Sequence, residues 1–351
     1  MQVLLNQLDR EAWNAFLIRQ TYSHFWHTWE WGEFLAGFKQ REILRFSVHE
    51  NDEDILGLTT LCIEPLSWFG KRGDSIPVWH FSGPILRDGL EPQARKRAYL
   101  QLIDIIDREL VERGVLCAEF RIWDPYFDHA CFEPWLKAGF CIREWRTWMC
   151  DVPEDESLVM KTHGKAFREQ VRQGHRRGGI VEVNTPVSNK EVFLLHTMTM
   201  VHGGTHPRYS LDEVSYVLNW SNDLKDVYLC KHEGRLIGFL IALKFNRVAI
   251  AWLAGIDRRY AGIRPANLLW HELMRHSARQ GMRTVDFGGG VTEGVTHFKE
   301  ELGAKPTPTF SLNKTYCSNL YLRLALAWAD GPRKLARKAV SALFEGRQER
   351  Q

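Results

Sequence analysis

The sequence predicts an α/β chain with mixed sheets, folded as two similar domains in tandem, and three observations predict it. The order strand, strand, strand, helix, glycine, strand, helix, strand occurs twice, once on each side of about residue 155. The separation of the copies is far above the roughly 50 residues at which stacked repeats recur, which excludes a solenoid. Each copy opens with neighbouring strands suited to antiparallel pairing and then crosses over through a helix, the grammar of a mixed sheet. At 351 residues and 44% hydrophobic, the chain is long enough for two cores of ordinary size.

Taken in order, the first copy begins with a helix over residues 10–19, followed by the aromatic run His24-Phe25-Trp26-His27-Thr28-Trp29-Glu30-Trp31. Fourteen tryptophans invite talk of stacked bases or sugars, but large rings dominate buried area, so most belong to the core. Extended segments are expected at residues 43–49, 55–67 and 78–86, the first two joined by the acidic turn Asn51-Asp52-Glu53-Asp54. A long helix over 93–113 stops at Gly114, and a strand at 116–123, a short helical piece near 131–138 and a strand at 140–150 complete the copy.

Between the copies the periodicity predicts one helix over 158–177, ended by Gly178-Gly179, then a loop at 184–190 and helices over 191–200 and 212–220. The second copy starts with a hairpin, 227–231 and 236–245, turning at Glu233-Gly234. A strand at 248–254 follows, then a helix that begins near Pro265 and is closed by Gly281, and a strand at 284–287. The expected domains are therefore 1–155 and 156–308. Residues 309–351 form a returning strand and a basic helical tail that pack on the first domain.

Net charge is +3, too mild to announce a nucleic-acid partner by itself. The seven cysteines are odd in number and scattered, with no CxxC pair and no Cys/His grouping of zinc spacing, which predicts reduced thiols and no metal site. The first residues carry charge too early for a signal peptide, and no apolar run approaches ~18 residues. A cytoplasmic, monomeric protein is expected.

Chemistry concentrates where the strand at 284–287 empties into Gly288-Gly289-Gly290. Glycines let backbone approach a ligand and aim N–H groups at it, and a helix starting near Glu293 adds its positive end. Lys299 lies on that helix. Loop, helix terminus and cation thus converge on an anion, or on the oxyanion of an acyl transfer. A basic helix carries Lys161, Lys165, Arg168, Arg172 and Arg176 at spacings of three or four, one face that suits RNA phosphates or plain solvation.

This grammar is that of acetyltransferases of the GNAT fold, and short matches spread over most of the chain narrow it. They are His27-Thr28-Trp29-Glu30-Trp31-Gly32, Ser82-Gly83-Pro84, Arg168-Glu169-Gln170-Val171-Arg172, Arg176-Arg177-Gly178-Gly179-Ile180, His202-Gly203-Gly204-Thr205-His206, Asp286-Phe287-Gly288-Gly289 and His297-Phe298-Lys299. In these the chain resembles the FemABX family, tandem-GNAT enzymes that move an amino acid from aminoacyl-tRNA to the amine of a peptidoglycan precursor. The resemblance implies an aminoacyltransferase without cofactor, acting in cell wall biogenesis. It implies Phe298 and Lys299 at the transfer site, with Gly288, Gly289, Gly290, Arg168, Arg172, Arg176 and Arg264 on the donor. It puts His206, Arg208, Tyr209 and Trp31 on a peptide or muropeptide acceptor. The lysine that some members place just after the first-domain Trp-Gly has no counterpart, because Phe34, Leu35 and Ala36 fill that stretch, so the acceptor is open.

Two other readings stand beside it. GNAT enzymes hold the pyrophosphate of coenzyme A with Arg/Gln-x-x-Gly-x-Gly/Ala, and Arg259-Tyr260-Ala261-Gly262-Ile263-Arg264 meets all but the last position, which keeps an acyl-CoA thioester open as donor. The remaining reading is a non-catalytic module that holds tRNA or a peptide. The basic tail, with Leu322, Leu324, Ala327 and Trp328 beside Arg333, Lys334, Arg337 and Lys338, has the amphipathic pattern of a docked helix or of a membrane-surface contact.

Overall fold

The computed structural model describes residues 1–351 except 39, 52–53, 68–69, 76–81, 124–128, 290–291, 319–320 and 322–351. Its contacts divide the chain into two units. Of the described residues, the first unit holds 1–146 and those from Pro308 on, and the second holds 147–307.

The first unit begins with a short edge strand β1 (Gln2–Leu5), then α1 (Arg10–Ile18), capped by Asp9, and α2 (Trp29–Ala36), capped by Thr28. Strands β2 (Glu42–His49), β3 (Ile55–Ser67), β4 (Gly70–Asp74) and β5 (Ile85–Leu86) follow. Helix α3 (Pro92–Glu112) opens with proline in its first turn, where no N–H is missed, and ends before Gly114 at φ +67°. It buries Tyr99, Leu102, Ile103, Ile106 and Leu110, a stripe of helical period. Strand β6 (Val115–Ile122), α4 (His129–Lys137) and β7 (Cys141–Asp151) lead onward, β7 running from the first unit into the second at Thr147.

In the second unit α5 (Val159–Thr162) and α6 (Lys165–Arg176) replace the single helix expected over 158–177. The break at His163-Gly164 is a tertiary effect. Gly164 N–H donates to the Glu301 carbonyl, and a side chain at Gly164 would meet the Glu301 carboxylate at 2.4 Å. Strand β8 (Ile180–Val183), α7 (Asn189–His202) and α8 (Leu211–Leu218) come next, the last held by a Ser210/Glu213 capping box. Strands β9 (Lys225–His232) and β10 (Arg235–Phe245) form the expected hairpin, with Glu233 and Gly234 both at positive φ, as a two-residue turn of right-handed twist requires. Then come β11 (Val248–Ile256), α9 (Pro265–Arg279), β12 (Thr284–Asp286), α10 (Glu293–Leu302) and β13 (Lys305–Thr315).

Both units are mixed sheets of one grammar. In the first, β1, β2, β3 and β4 pair antiparallel in order, β4 lies parallel to β6, and β13 returns antiparallel to β6 with Phe310 opposite Ile122. In the second, β8, β9, β10 and β11 pair antiparallel, and β11 lies parallel to β12. Strands β1, β4 and β8 were absent from the sequence expectation, being short or glycine-rich. Of the strand expected over 78–86, residues 78–81 lie outside the described residues and β5 is what is described. The helical tail likewise lies outside them from residue 319 on, Tyr321 excepted.

Candidate active site

The second unit's parallel pair is where the fold opens. Strands β11 and β12 are in register for three residues only, Val248 with Thr284 through Ile250 with Asp286. Beyond that point each strand follows its other neighbour. On one side Phe287 N–H donates to the Trp148 carbonyl at 2.8 Å, and Trp148 N–H to the Gly288 carbonyl at 3.2 Å, so the chain leaving β12 stays with β7. On the other, β11 runs along β10 as far as Ile256 opposite Gly238. The end of β11 is fastened by α7: Thr199 Oγ donates to the Ile256 carbonyl and accepts from its N–H, at 3.2 and 2.9 Å. The strands therefore splay, leaving a gap bounded by β11 and by the turn at Gly288-Gly289.

Lys299 underlies that turn. Helix α10 starts at an N-cap, Thr292, and ends at Gly303, whose φ of +104° suits only glycine and whose added Cβ would meet the Thr162 carbonyl at 2.6 Å. This end of the helix is clamped. His163 Nδ1 donates to the Leu302 carbonyl at 2.7 Å, and His163 Nε2 accepts from His271 Nδ1 at 3.0 Å. A carbonyl can only accept, so the tautomers of both rings follow from it. Burial lowers both imidazole pKa values, that of His271 to about 3.

One turn earlier on α10, Lys299 is 6% exposed and its ammonium donates to the carbonyls of Gly288 and Gly289 at 2.8 and 2.9 Å. It sits 5.7 Å from the centre of the Trp148 ring, within cation–π range. Desolvation lowers its pKa to about 8, opposed by the Asp286 carboxylate. Asp286, 3% exposed, accepts from Thr147 Oγ at 2.5 Å and from the Gly288 N–H at 2.8 Å, and burial raises its pKa. Phe298 turns the other way, its ring 5.5 Å from Phe167 and 6.3 Å from Trp270, which also meets Phe287 at 5.3 Å.

Glycine turn and lysine thus lie together, but not as expected. The turn presents carbonyls to the ammonium, and the Gly288 N–H is consumed by Asp286, so this is no nest of N–H groups converging with the lysine on one anion. Gly290 lies outside the described residues.

The other expected residues disperse. Arg168 is half-buried and donates to the His163 carbonyl at 2.8 Å, bracing the helix break. Arg172 and Arg176 are exposed and pair with Glu169 at 3.7 and 2.6 Å. Arg264 adopts left-handed backbone, φ +59°, and donates to Gln173 at 2.9 Å. His206 is half-buried, Arg208 exposed, and Tyr209 buried against Trp252 with ring centres 4.9 Å apart. Trp31 is a correction. It is 1% exposed in the first unit's core, 4.5 Å from Trp26 and 4.7 Å from Phe34, so no face of the ring is left for an acceptor. Sequence reasoning missed Thr147, Trp148, His163, Thr199 and His271. Only Asp286, immediately before Phe-Gly-Gly, carried a local signal.

The loop expected to serve coenzyme A is braced by α6, while Ala261 and Gly262 themselves stay exposed. Arg177 donates to the Gly262 carbonyl at 2.6 Å, Arg264 N–H returns to the Ala261 carbonyl at 3.0 Å, and a Cβ at Gly174 would sit 2.8 Å from the Ile263 carbonyl. No group of His, Cys, Asp and Glu fit to hold a metal occurs among the described residues.

Comparison with known proteins bears on the fold. Residues 195–300 match the acetyltransferase (GNAT) domain family. The structure of FemX superimposes with a TM-score of 0.69 at 13% identity, covering 93% of this chain and 100% of that one. The fold is a FemX-like double GNAT. Two lysylphosphatidylglycerol synthetase structures share it at TM-score 0.56 and 13% identity: the C-terminal domain of a putative enzyme from Agrobacterium fabrum and L-PGS from Bacillus licheniformis. Each covers 91% of this chain and is itself covered to 96%. No curated protein matches the sequence. The described residues contain no helix long and apolar enough to cross a membrane.

Proposed function

We propose that the protein is an aminoacyltransferase that moves an amino acid from aminoacyl-tRNA to the amine of a peptidoglycan-precursor-like or small peptide acceptor. The observation that carries the reading is the buried ammonium of Lys299 beneath a glycine turn at the mouth of the β11/β12 gap. A buried cation is costly unless bonded, and here its donors are spent on holding a turn beside the opening. Such a preorganised polar site is what ester aminolysis uses: the amine nitrogen bonds the acyl carbon, the ester C–O bond breaks, and the ribose oxygen leaves with the amine's proton. The substrates supply both ends of that proton transfer, so no protein base is assigned.

The choice of tRNA over coenzyme A rests on the Gly262 loop. Pyrophosphate binding at a helix start requires backbone N–H groups open to the ligand. Here Arg177 holds the Gly262 carbonyl, the Arg264 side chain is engaged by Gln173 of α6, and α9 opens with a proline that has no N–H. The same helix exposes Lys165, Arg172 and Arg176, cations suited to RNA phosphates. The test is to incubate the purified chain with pooled aminoacyl-tRNA bearing labelled amino acids and, separately, with labelled acetyl-CoA. Discharge of tRNA into an amide product is expected. Acetyl transfer without tRNA discharge would sink the reading.

A further inference from the structure

The Gly288–Gly289 peptide is oriented from both sides of its oxygen. Lys299 Nζ and Trp148 N–H both donate to the Gly288 carbonyl, so that carbonyl points toward α10 and β7. The described chain has no cis peptide, and in a planar trans peptide the N–H points opposite to the carbonyl. The Gly289 N–H therefore points away from β7, toward the side of β12 where β11 has departed. Among the described residues it donates to no group, while its neighbours at Phe287 and Gly288 are both engaged. The turn is uncrowded at its first glycine, where an added Cβ would meet nothing within 4 Å among the described residues.

We infer that the Gly289 N–H is the donor that polarises the acyl carbonyl in the gap, and that Lys299 is a positioning residue which acts through it by holding the carbonyls of Gly288 and Gly289 turned back. The inference rests on the acyl-transfer reading and assigns its electrophile contact. Two further features fit it. With two of its three N–H groups on turn carbonyls, the ammonium is largely spent within the protein. Asp286 takes the Gly288 N–H, so of the two described glycine N–H groups of the turn that of Gly289 is the one left for a substrate.

The test is a double-mutant cycle on single-turnover transfer from pooled aminoacyl-tRNA, with tRNA binding measured alongside. One arm replaces the Gly288–Gly289 amide by an ester, using glycolic acid at position 289, which deletes the N–H and keeps every side chain. The other arm is Lys299→Met. Each change alone should slow transfer by about 10²- to 10³-fold. The ester should leave tRNA binding unaltered, and the two together should cost no more than the larger single effect. Multiplying losses in the double variant would mean that Lys299 acts directly on the substrate, and would overturn the inference.

A readout without any variant is hydrogen exchange at Gly289, with and without tRNA carrying amide-linked amino acids that resist transfer. Slowing by at least about tenfold on binding supports the contact, and unchanged exchange refutes it. A wild-type chain that discharges no aminoacyl-tRNA would remove the donor reading and this inference together. Wild-type discharge with an equally fast ester variant would remove this inference alone.

Discussion

The two parallel strand pairs, β4 with β6 in the first unit and β11 with β12 in the second, stand at the same point of the same grammar and end differently. In the first unit pairing continues past the ladder. Ser75 N–H donates to the Glu119 carbonyl, Arg121 N–H to Ser75 Oγ, Ser82 Oγ to the Ser75 carbonyl, and Gly83 N–H to the Arg121 carbonyl. A Cβ at Gly83 would lie 2.4 Å from Ile122, so backbone fills the space that the second unit leaves open. The charges differ in kind as well. Arg72 joins the buried Asp74 and Glu119, and Arg121 and Ser311 complete a closed network. In the second unit Lys299, one of several buried cations there, donates to two turn carbonyls, with the Asp286 carboxylate acting on it only through its charge. The two units share a strand order, and only in the second do the parallel strands part.

The sharpest way to break that contrast is to delete the buried carboxylate of each unit's network, or its partner. Asp286→Ala leaves the Gly288 N–H and Thr147 Oγ without their acceptor, and should lower single-turnover transfer about 10²-fold together with roughly 1–3 kcal/mol of stability. Arg72→Met strands Asp74, and should cost about 3 kcal/mol in denaturant melts while the rate per folded molecule holds within twofold. A next step compares glycines. Gly83→Ala overpacks against Ile122 and the Arg121 carbonyl and should cost about 1–3 kcal/mol with transfer intact. Gly288→Ala meets open space and bears only the left-handed penalty of roughly 1–2 kcal/mol, yet should slow transfer, because the turn it strains is the one that matters.

A smaller effect separates the units by pH. The ammonium of Lys299 titrates near 8 when folded, against 10.5 for an unperturbed lysine. Between those values the unfolded chain holds a proton that the folded chain has lost, so this group's contribution to stability rises with pH across the window. Transfer should move the opposite way and fall above about pH 8 as the turn loses its donor. Lys299→Arg, which stays charged, should abolish the fall in a rate profile from pH 7 to 9.5. The smallest effect concerns tRNA itself. Arg172→Ala combined with Arg176→Ala should reduce the slope of log binding constant against log salt by about 1.5, and leave saturated single-turnover rates unchanged.

Much of this architecture was legible because it is periodic. The β9/β10 hairpin, the α9 helix between Pro265 and Gly281, and the glycine turn after β12 each announce themselves within a few residues. What escaped depends on groups far away in the chain. Helical periodicity runs straight through His163-Gly164, and only the carbonyls of Glu301 and Leu302 break it. The direction of the turn's peptide groups was equally hidden, since three glycines accept either orientation and Lys299 decides between them. Trp31 was misjudged because a Trp-Gly pair at the start of a domain reads alike whether its ring is stacked in the core or offered to a ligand. The gap itself is a property of strand divergence, which no local pattern encodes.

The acyl-transfer site proposed in the second unit depends on the buried ammonium under the Gly288-Gly289 turn. The most direct measurement is the single-turnover rate of Lys299→Met at saturating aminoacyl-tRNA, in a variant that melts as cooperatively as the parent. A loss of about 10²-fold or more is predicted. Transfer at the parental rate would contradict the account.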